Sequence, residues 1–168
     1  MSLSSKGKKR KLTEKTKYSS ELEQIKDLEQ RISVSKSNYN NIVTLLEYTK
    51  DKSPKVIHSA LYALYRTFSP LLSKGELQKP KNENLERDKK GLIKIWLRDN
   101  YVQYVNTLCN FLRHEEPGLQ IPSLNILLNL LKSNPHILHQ RLGHKQFQII
   151  IIIMLLKDLL IMKISVNR

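Results

Sequence analysis

The chain has 168 residues, 40% of them hydrophobic, and a formal net charge of +14 from 29 Lys and Arg against 15 Asp and Glu. This hydrophobic content suffices for the core of one domain and excludes disorder throughout, while the charge favours a polyanionic environment such as RNA or an anionic membrane surface. Because Cys109 is the only cysteine and no apolar stretch near Met1 resembles a secretory signal, we expect a reducing compartment, the cytosol or the nucleus.

The first 18 residues are strongly basic, with seven Lys and Arg against the single acid Glu14. This composition predicts a disordered tail. Its KKRK cluster, formed by Lys8, Lys9, Arg10 and Lys11, is typical of a nuclear import signal and of an arm that contacts RNA. The alternative is a solvated arm that only keeps the protein soluble.

Three helices are predicted in the first half of the chain. Ser20 and Glu23 have the spacing of a capping box, so the first helix should begin at Ser20. The second helix should span about residues 37 to 50. The third should begin at Ser53-Pro54, because proline is tolerated at the first helical position, and should end at the Ser69-Pro70 break.

A charged segment separates these helices from two more. Residues 73–90 carry almost no apolar side chains and predict an inserted loop. The fourth helix should run from about Leu85 to Arg113, and the fifth from Pro117 to about Lys132, with an irregular first turn because Pro122 removes one hydrogen bond. No clear two-residue hairpin turn separates alternating strands, so we expect no sheet.

The two helical hairpins repeat one apolar pattern at an offset of about 63 residues. Apolar or proline residues occupy both copies at seven aligned positions: Ile42, Leu45, Leu46, Pro54, Val56, Leu61 and Leu64 align with Val105, Leu108, Cys109, Pro117, Leu119, Leu124 and Leu127. Such a unit cannot bury its hydrophobic face alone and must stack on neighbours. The sequence therefore predicts an all-α fold, a HEAT/armadillo-like α-solenoid fragment over residues 19–145, which presents a binding surface.

The C-terminal segment, residues 146–168, is rich in isoleucine and differs from the rest of the chain. Its apolar run is interrupted by Lys157 and Asp158 and is too short for the roughly 20 residues that span a bilayer. We therefore expect no membrane anchor. β-Branching would fit a strand, but the neighbouring leucines favour a helix that packs on the fifth helix.

Candidate reactive groups are few. His136, His139 and His144 lie close together, but no nearby Cys, Asp or Glu completes a zinc shell, so we expect no metal site. Glu115 and Glu116 precede a helix, where carboxylates stabilise its positive end. With no phosphate-binding glycine loop or nucleophile motif either, we predict no enzymatic activity, no cofactor and no small-molecule substrate.

The aromatic residues admit two interpretations. Several of them, Tyr39, Tyr48, Tyr62, Tyr65, Trp96, Tyr101 and Tyr104, could stack on single-stranded RNA. Most also have the spacing of a helical core, so we expect packing roles for most of them and electrostatic RNA contacts from lysines.

Two stretches carry a resemblance to a known family. The segments ISVSKSNYNNIVTLLEY, residues 32–48, and IWLRDNYVQYVNTLCNFLRHEEPGLQIPSLNILLNLL, residues 95–131, resemble the amino-terminal helical region of the nucleolar complex protein 4 family. The resemblance covers about residues 20–140. Past residue 144 the sequence becomes unlike the family, and the family's second helical region, the CCAAT-binding factor domain, is not part of this sequence, so we expect an amino-terminal fragment.

The resemblance implies a non-enzymatic scaffold of the small-subunit processome. Its members are expected in the nucleus and nucleolus, acting on precursor ribosomal RNA with a companion assembly factor of the Nop family. The alternative is a generic α-solenoid adaptor outside ribosome assembly, and a third possibility is a sequence-independent RNA binder.

Overall fold

A computed structural model describes residues 4–78 and 88–133. Within these ranges the chain forms five α-helices and no strand, which confirms the all-α prediction. The helices are α1 (Ser4–Val34), α2 (Asn41–Tyr48), α3 (Pro54–Ser73), α4 (Lys89–Phe111) and α5 (Pro117–Ser133), with a short 3₁₀ helix (Lys36–Asn38) between α1 and α2. The predicted C-terminal segment lies outside the described residues.

Helix α1 begins earlier than the capping-box pattern predicted. It starts at Ser4 instead of Ser20, so the backbone of residues 4–18, which we expected to be disordered, is helical. No proline interrupts this stretch, its Lys, Arg and Leu residues favour helix, and Gly7 alone costs about 1 kcal/mol. Ser20 and Glu23 therefore lie inside a helix.

The predicted second helix is divided into two shorter elements. Ser35 accepts a hydrogen bond from the amide of Ser37 and starts the 3₁₀ turn, and α2 follows only at Asn41. Short polar residues such as Ser and Asn bond to the local backbone and compete with a continuous helix. The interruption lets α2 turn back against α1.

Helix α3 begins at Pro54 as predicted, but it does not end at Pro70. Pro70 removes only one hydrogen bond near the C-terminus, and Leu71 and Leu72, both buried, follow it within the helix. The helix ends where Gly75 adopts a φ of 67°, with the amides of Gly75 and Glu76 bonded to the carbonyls of Leu72 and Leu71. This is the Schellman arrangement, which requires a residue such as glycine that tolerates the left-handed region.

In the second hairpin, α5 begins at Pro117 as predicted and ends within one residue of the predicted Lys132. Helix α4 starts at Lys89 after Asp88, and α5 runs from Pro117 to Ser133 with Pro122 inside it. Residues 79–87, which include the predicted start at Leu85, lie outside the described ranges. Gly91 is buried within α4.

Helix α3 lies at the centre of the packing. It contacts α1, α2, α4 and α5, and α2 also contacts α4, so the two hairpins, α2–α3 and α4–α5, pack against each other. Of the fourteen positions aligned by the internal repeat, the six aliphatic residues of the first copy are buried, and so are Val105, Leu108, Leu119 and Leu127 of the second. The repeat therefore marks the shared core, as predicted.

Aromatic residues join the two hairpins. The Phe68 ring of α3 lies 5.3 Å from the Tyr101 ring and 5.5 Å from the Tyr104 ring of α4, centroid to centroid. The Tyr104 hydroxyl donates a 2.8 Å hydrogen bond to the carbonyl of Leu61. The remaining aromatic residues that we considered for RNA stacking are partly buried against the same core, so part of each ring packs and part stays accessible.

Candidate interaction surface

An open groove runs between α1 and α3, and its described lining residues include none from the second hairpin. It has a volume of about 450 Å³. Two residues of α1 and five of α3 line it: Leu22, Lys26, Lys55, His58, Ser59, Tyr62 and Arg66. We refer to this surface as the α1–α3 groove.

The periodicity of the α-helix explains why these residues lie together. Leu22 and Lys26 are one turn apart on α1, and Lys55, Ser59 and Tyr62 are spaced by three or four residues on α3. Residues at such spacings share one face of a helix. The two walls are held together by the core face of the same helices, which includes Ile25 and Ala60, both fully buried.

The groove is basic. Lys26, Lys55 and Arg66 are exposed, and no Asp or Glu is among the seven lining residues. Neither lysine forms an ion pair with a described residue. Lys55 is also the second residue of α3, so the positive end of that helix dipole adds to the potential at this end of the groove.

Arg66 differs from the two lysines because it is held by a carboxylate. Its Nε and Nη2 donate to the two carboxylate oxygens of Glu29 at 2.5 and 2.7 Å. This hydrogen-bonded pair raises the pKa of Arg66 above its usual value. The pair fixes the guanidinium at the junction of α1 and α3, while the charge of Glu29 offsets part of its positive field.

Two rings stand side by side in the groove. His58 and Tyr62, one turn apart on α3, have ring centroids 4.8 Å apart and a tilt of 47°. His58 is exposed and Tyr62 is half-buried against the core. A planar ligand can stack on such a surface while the neighbouring cations contact a negative charge.

A smaller cavity of about 200 Å³ continues along the same helix junction. It shares Arg66 with the groove and is lined further along by Glu29, Tyr39, Pro70 and Lys74, among others. Beyond it, Lys36 donates a 3.0 Å hydrogen bond to Glu76, which raises the pKa of Lys36 and ties the 3₁₀ helix to the turn after α3. The groove and the smaller cavity are thus adjacent and meet at Arg66.

The residues proposed for nuclear targeting lie elsewhere on α1. Lys8, Lys9, Arg10 and Lys11 belong to its first part, N-terminal to the groove-lining residues of the same helix. Their targeting and RNA-contact roles stay predictions. The acid pair Glu115 and Glu116 is exposed on the turn before α5.

The described part of the chain contains no candidate metal centre. Residues 4–78 and 88–133 contain no group of three or more His, Cys, Asp or Glu side chains that could hold a metal ion. The histidines at 136, 139 and 144 lie outside these ranges. Among the described helices, none combines the length and apolar character that crossing a bilayer requires.

Sequence reasoning did not find the α1–α3 groove. Lys26 and Lys55 come from helices separated by α2, so only the packing of α1 on α3 brings them together. A local signal was available, because His58, Tyr62 and Arg66 follow at four-residue intervals and place two rings and a cation on one face of α3.

The fold defines a helical-repeat protein, built from stacked hairpins that expose a charged groove. The family described as "Nucleolar complex protein 4-like, TPR repeats" matches residues 14–163. The chain belongs to this family. The match extends beyond residue 140, where we expected the resemblance to end, and includes most of the isoleucine-rich segment.

A relative in fission yeast is consistent with this assignment. An uncharacterised protein of Schizosaccharomyces pombe is 30% identical over 128 residues, which is 74% of this chain and 26% of the relative. The chain therefore spans about a quarter of that relative's length. No solved structure matches the chain.

Proposed function

We propose that this chain is part of a non-enzymatic scaffold factor of ribosome biogenesis. It acts in the nucleolus, in assembly of the small-subunit processome and in processing of precursor ribosomal RNA. The observation that carries the proposal is the family match, which extends over residues 14–163. Stacked hairpins support it because helical-repeat proteins use their extended surfaces to hold other macromolecules.

The basic composition supports a location rich in RNA. A net charge of +14 attracts polyanions through long-range electrostatics. We propose that Lys8, Lys9, Arg10 and Lys11 direct nuclear entry and that a companion assembly factor of the Nop family binds the helical repeat. The first claim concerns the first part of α1 and the second the stacked hairpins, so they can be tested separately.

Co-sedimentation in cells tests the proposed function. The tagged full chain is expressed, nuclear extracts are separated on sucrose gradients, and the precursors of small-subunit rRNA are measured in the tagged fractions. We expect the chain in the large precursor particles, with enrichment of these RNAs over precursors of the large subunit. A chain that sediments only as free protein and recovers no precursor RNA would support the alternative, a solenoid adaptor outside ribosome assembly.

A variant with Lys8, Lys9, Arg10 and Lys11 replaced by Ala serves as the targeting control. We expect it to remain largely cytosolic while its circular dichroism spectrum keeps its helical signal. Unchanged nucleolar localisation would refute the role of the KKRK cluster.

A further inference from the structure

We propose that the α1–α3 groove binds single-stranded RNA, with phosphates on Lys26 and Lys55 and a base stacked against the rings of Tyr62 and His58. The inference rests on the proposed function in that it assigns an RNA site to a factor acting on precursor ribosomal RNA. It is specific to this groove and does not involve the KKRK cluster in the first part of α1. It can therefore fail independently of the function.

The charge pattern of the groove suits a phosphodiester chain. Lys26 on one wall and Lys55 on the other have no ion-pair partner among the described residues, so both are available to an anionic ligand. Counterion release on neutralising phosphates supplies most of the affinity of such contacts. Arg66 extends the basic surface toward the smaller cavity, where Lys74 adds another exposed cation.

The paired rings favour RNA over an acidic protein segment. A bound amphipathic helix needs a row of apolar pockets for its anchor residues, whereas among the described residues that line the groove only Leu22 is aliphatic. His58 and Tyr62 instead offer a ring surface beside cations. Aromatic rings within a basic groove are the usual arrangement for single-stranded nucleic acid, because every base has a face that can stack.

Removing the charge of Glu29 should raise RNA affinity, whereas removing a lysine of the groove should lower it. Glu29 accepts both hydrogen bonds of the guanidinium fork and places a negative charge at the end of the groove. Glu29→Gln removes that charge while it preserves the size of the side chain. RNA affinity should then rise, by several-fold at low salt, with an unchanged circular dichroism spectrum.

Fluorescence anisotropy with a labelled oligouridylate of about 12 nucleotides tests the site. All proteins carry Ala at Lys8, Lys9, Arg10 and Lys11, so that the tail cluster does not mask the groove. The double variant Lys26→Ala/Lys55→Ala should lower affinity at least tenfold and make the dependence of log K on log salt shallower by about 1.4, the value for two phosphate contacts to a single strand.

A matched double variant controls for net charge. Lys94→Ala/Lys132→Ala removes the same charge from exposed positions of α4 and α5, outside the groove. It should lower affinity by less than threefold or so and leave the salt slope nearly unchanged. Equal losses for the two double variants would overturn the proposal, because binding would then follow total charge and not the groove.

Stacking is tested at Tyr62. Tyr62→Phe keeps the ring and should bind normally, whereas Tyr62→Leu keeps apolar contact with the core but should lose about five- to 150-fold in affinity. Circular dichroism of each variant verifies the fold. Equal affinity of the two variants would overturn the stacking part of the proposal.

Competition distinguishes RNA from an acidic protein ligand. Poly-glutamate that displaces the oligouridylate as well as unlabelled RNA, at equal charge concentration, would show that the groove recognises carboxylates and would overturn the proposal. A cell experiment separates the groove from the proposed scaffold function. If the Lys26→Ala/Lys55→Ala variant still joins precursor particles, the scaffold function does not depend on RNA binding in the groove. If the unaltered chain fails to join them although it binds RNA in vitro, the scaffold function is refuted but the groove is not.

Discussion

Replacement by Phe should change the free energy of unfolding differently at two buried tyrosines. Tyr101 and Tyr104 of α4 are 1% and 0% exposed, and both rings contact Phe68 of α3. The Tyr104 hydroxyl donates to the carbonyl of Leu61 at 2.8 Å, whereas no described residue bonds to the buried Tyr101 hydroxyl. Replacement by Phe removes only the hydroxyl in each case, so the pair isolates the value of one hydrogen bond between the hairpins.

The magnitudes follow from the two environments. Tyr104→Phe loses a buried hydrogen bond, but the Leu61 carbonyl keeps its partner within α3, so the free energy of unfolding should fall by about 1 kcal/mol. Tyr101→Phe removes a hydroxyl that is desolvated without compensation, so the free energy should stay the same or rise by up to about 2 kcal/mol. The two variants should therefore differ by about 1 to 3 kcal/mol.

Urea denaturation followed by circular dichroism measures this difference. The midpoints should move in opposite directions, or only that of Tyr104→Phe should move, with unchanged m-values. Equal destabilisation of the two variants, or greater stability of Tyr104→Phe, would refute the packing of α4 on α3 described here.

Three further predictions concern the same core. Leu108→Ala and Leu127→Ala, at fully buried positions of α4 and α5, should each lower the free energy of unfolding by ~2 to 5 kcal/mol, whereas unchanged thermal melts would contradict their burial. Burial raises the pKa of Tyr101 and Tyr104. The stability that the neutral tyrosines contribute is therefore present below the unfolded pKa of about 10 and is lost as pH rises above it. The double Phe variant should lose less stability at alkaline pH than the unaltered chain, and an equally steep loss would contradict this. Partial burial likewise raises the pKa of Cys109 to about 11, so iodoacetamide should alkylate it slowly at neutral pH and faster in urea; equal rates would refute its partial burial.

Local chemistry made several elements predictable from sequence. Pro54 and Pro117 each start a helix at the first helical position, where the missing amide hydrogen costs nothing. The apolar spacing of the two hairpins identified core residues such as Leu45 and Leu108 because a helix buries positions three and four residues apart. Such signals lie within a few residues and require no knowledge of the tertiary fold.

Other features depend on long-range packing and were missed. Pro70 is tolerated because Leu71 and Leu72 are buried beyond it, and the helix stops only where Gly75 permits the left-handed turn. The groove required knowing that α1 lies against α3, since Lys26 and Lys55 are distant in sequence. Propensity and periodicity do not determine which helices are neighbours.

Native-state hydrogen exchange tests the central claim most directly, namely that α3 is the shared helix on which both hairpins pack. Amides of α3, with neighbours on both sides, should exchange only through global unfolding and be the most protected in residues 4–78 and 88–133. Exchange of the central α3 amides as fast as those of residues 4–17 would contradict the stacked arrangement and the surface that depends on it.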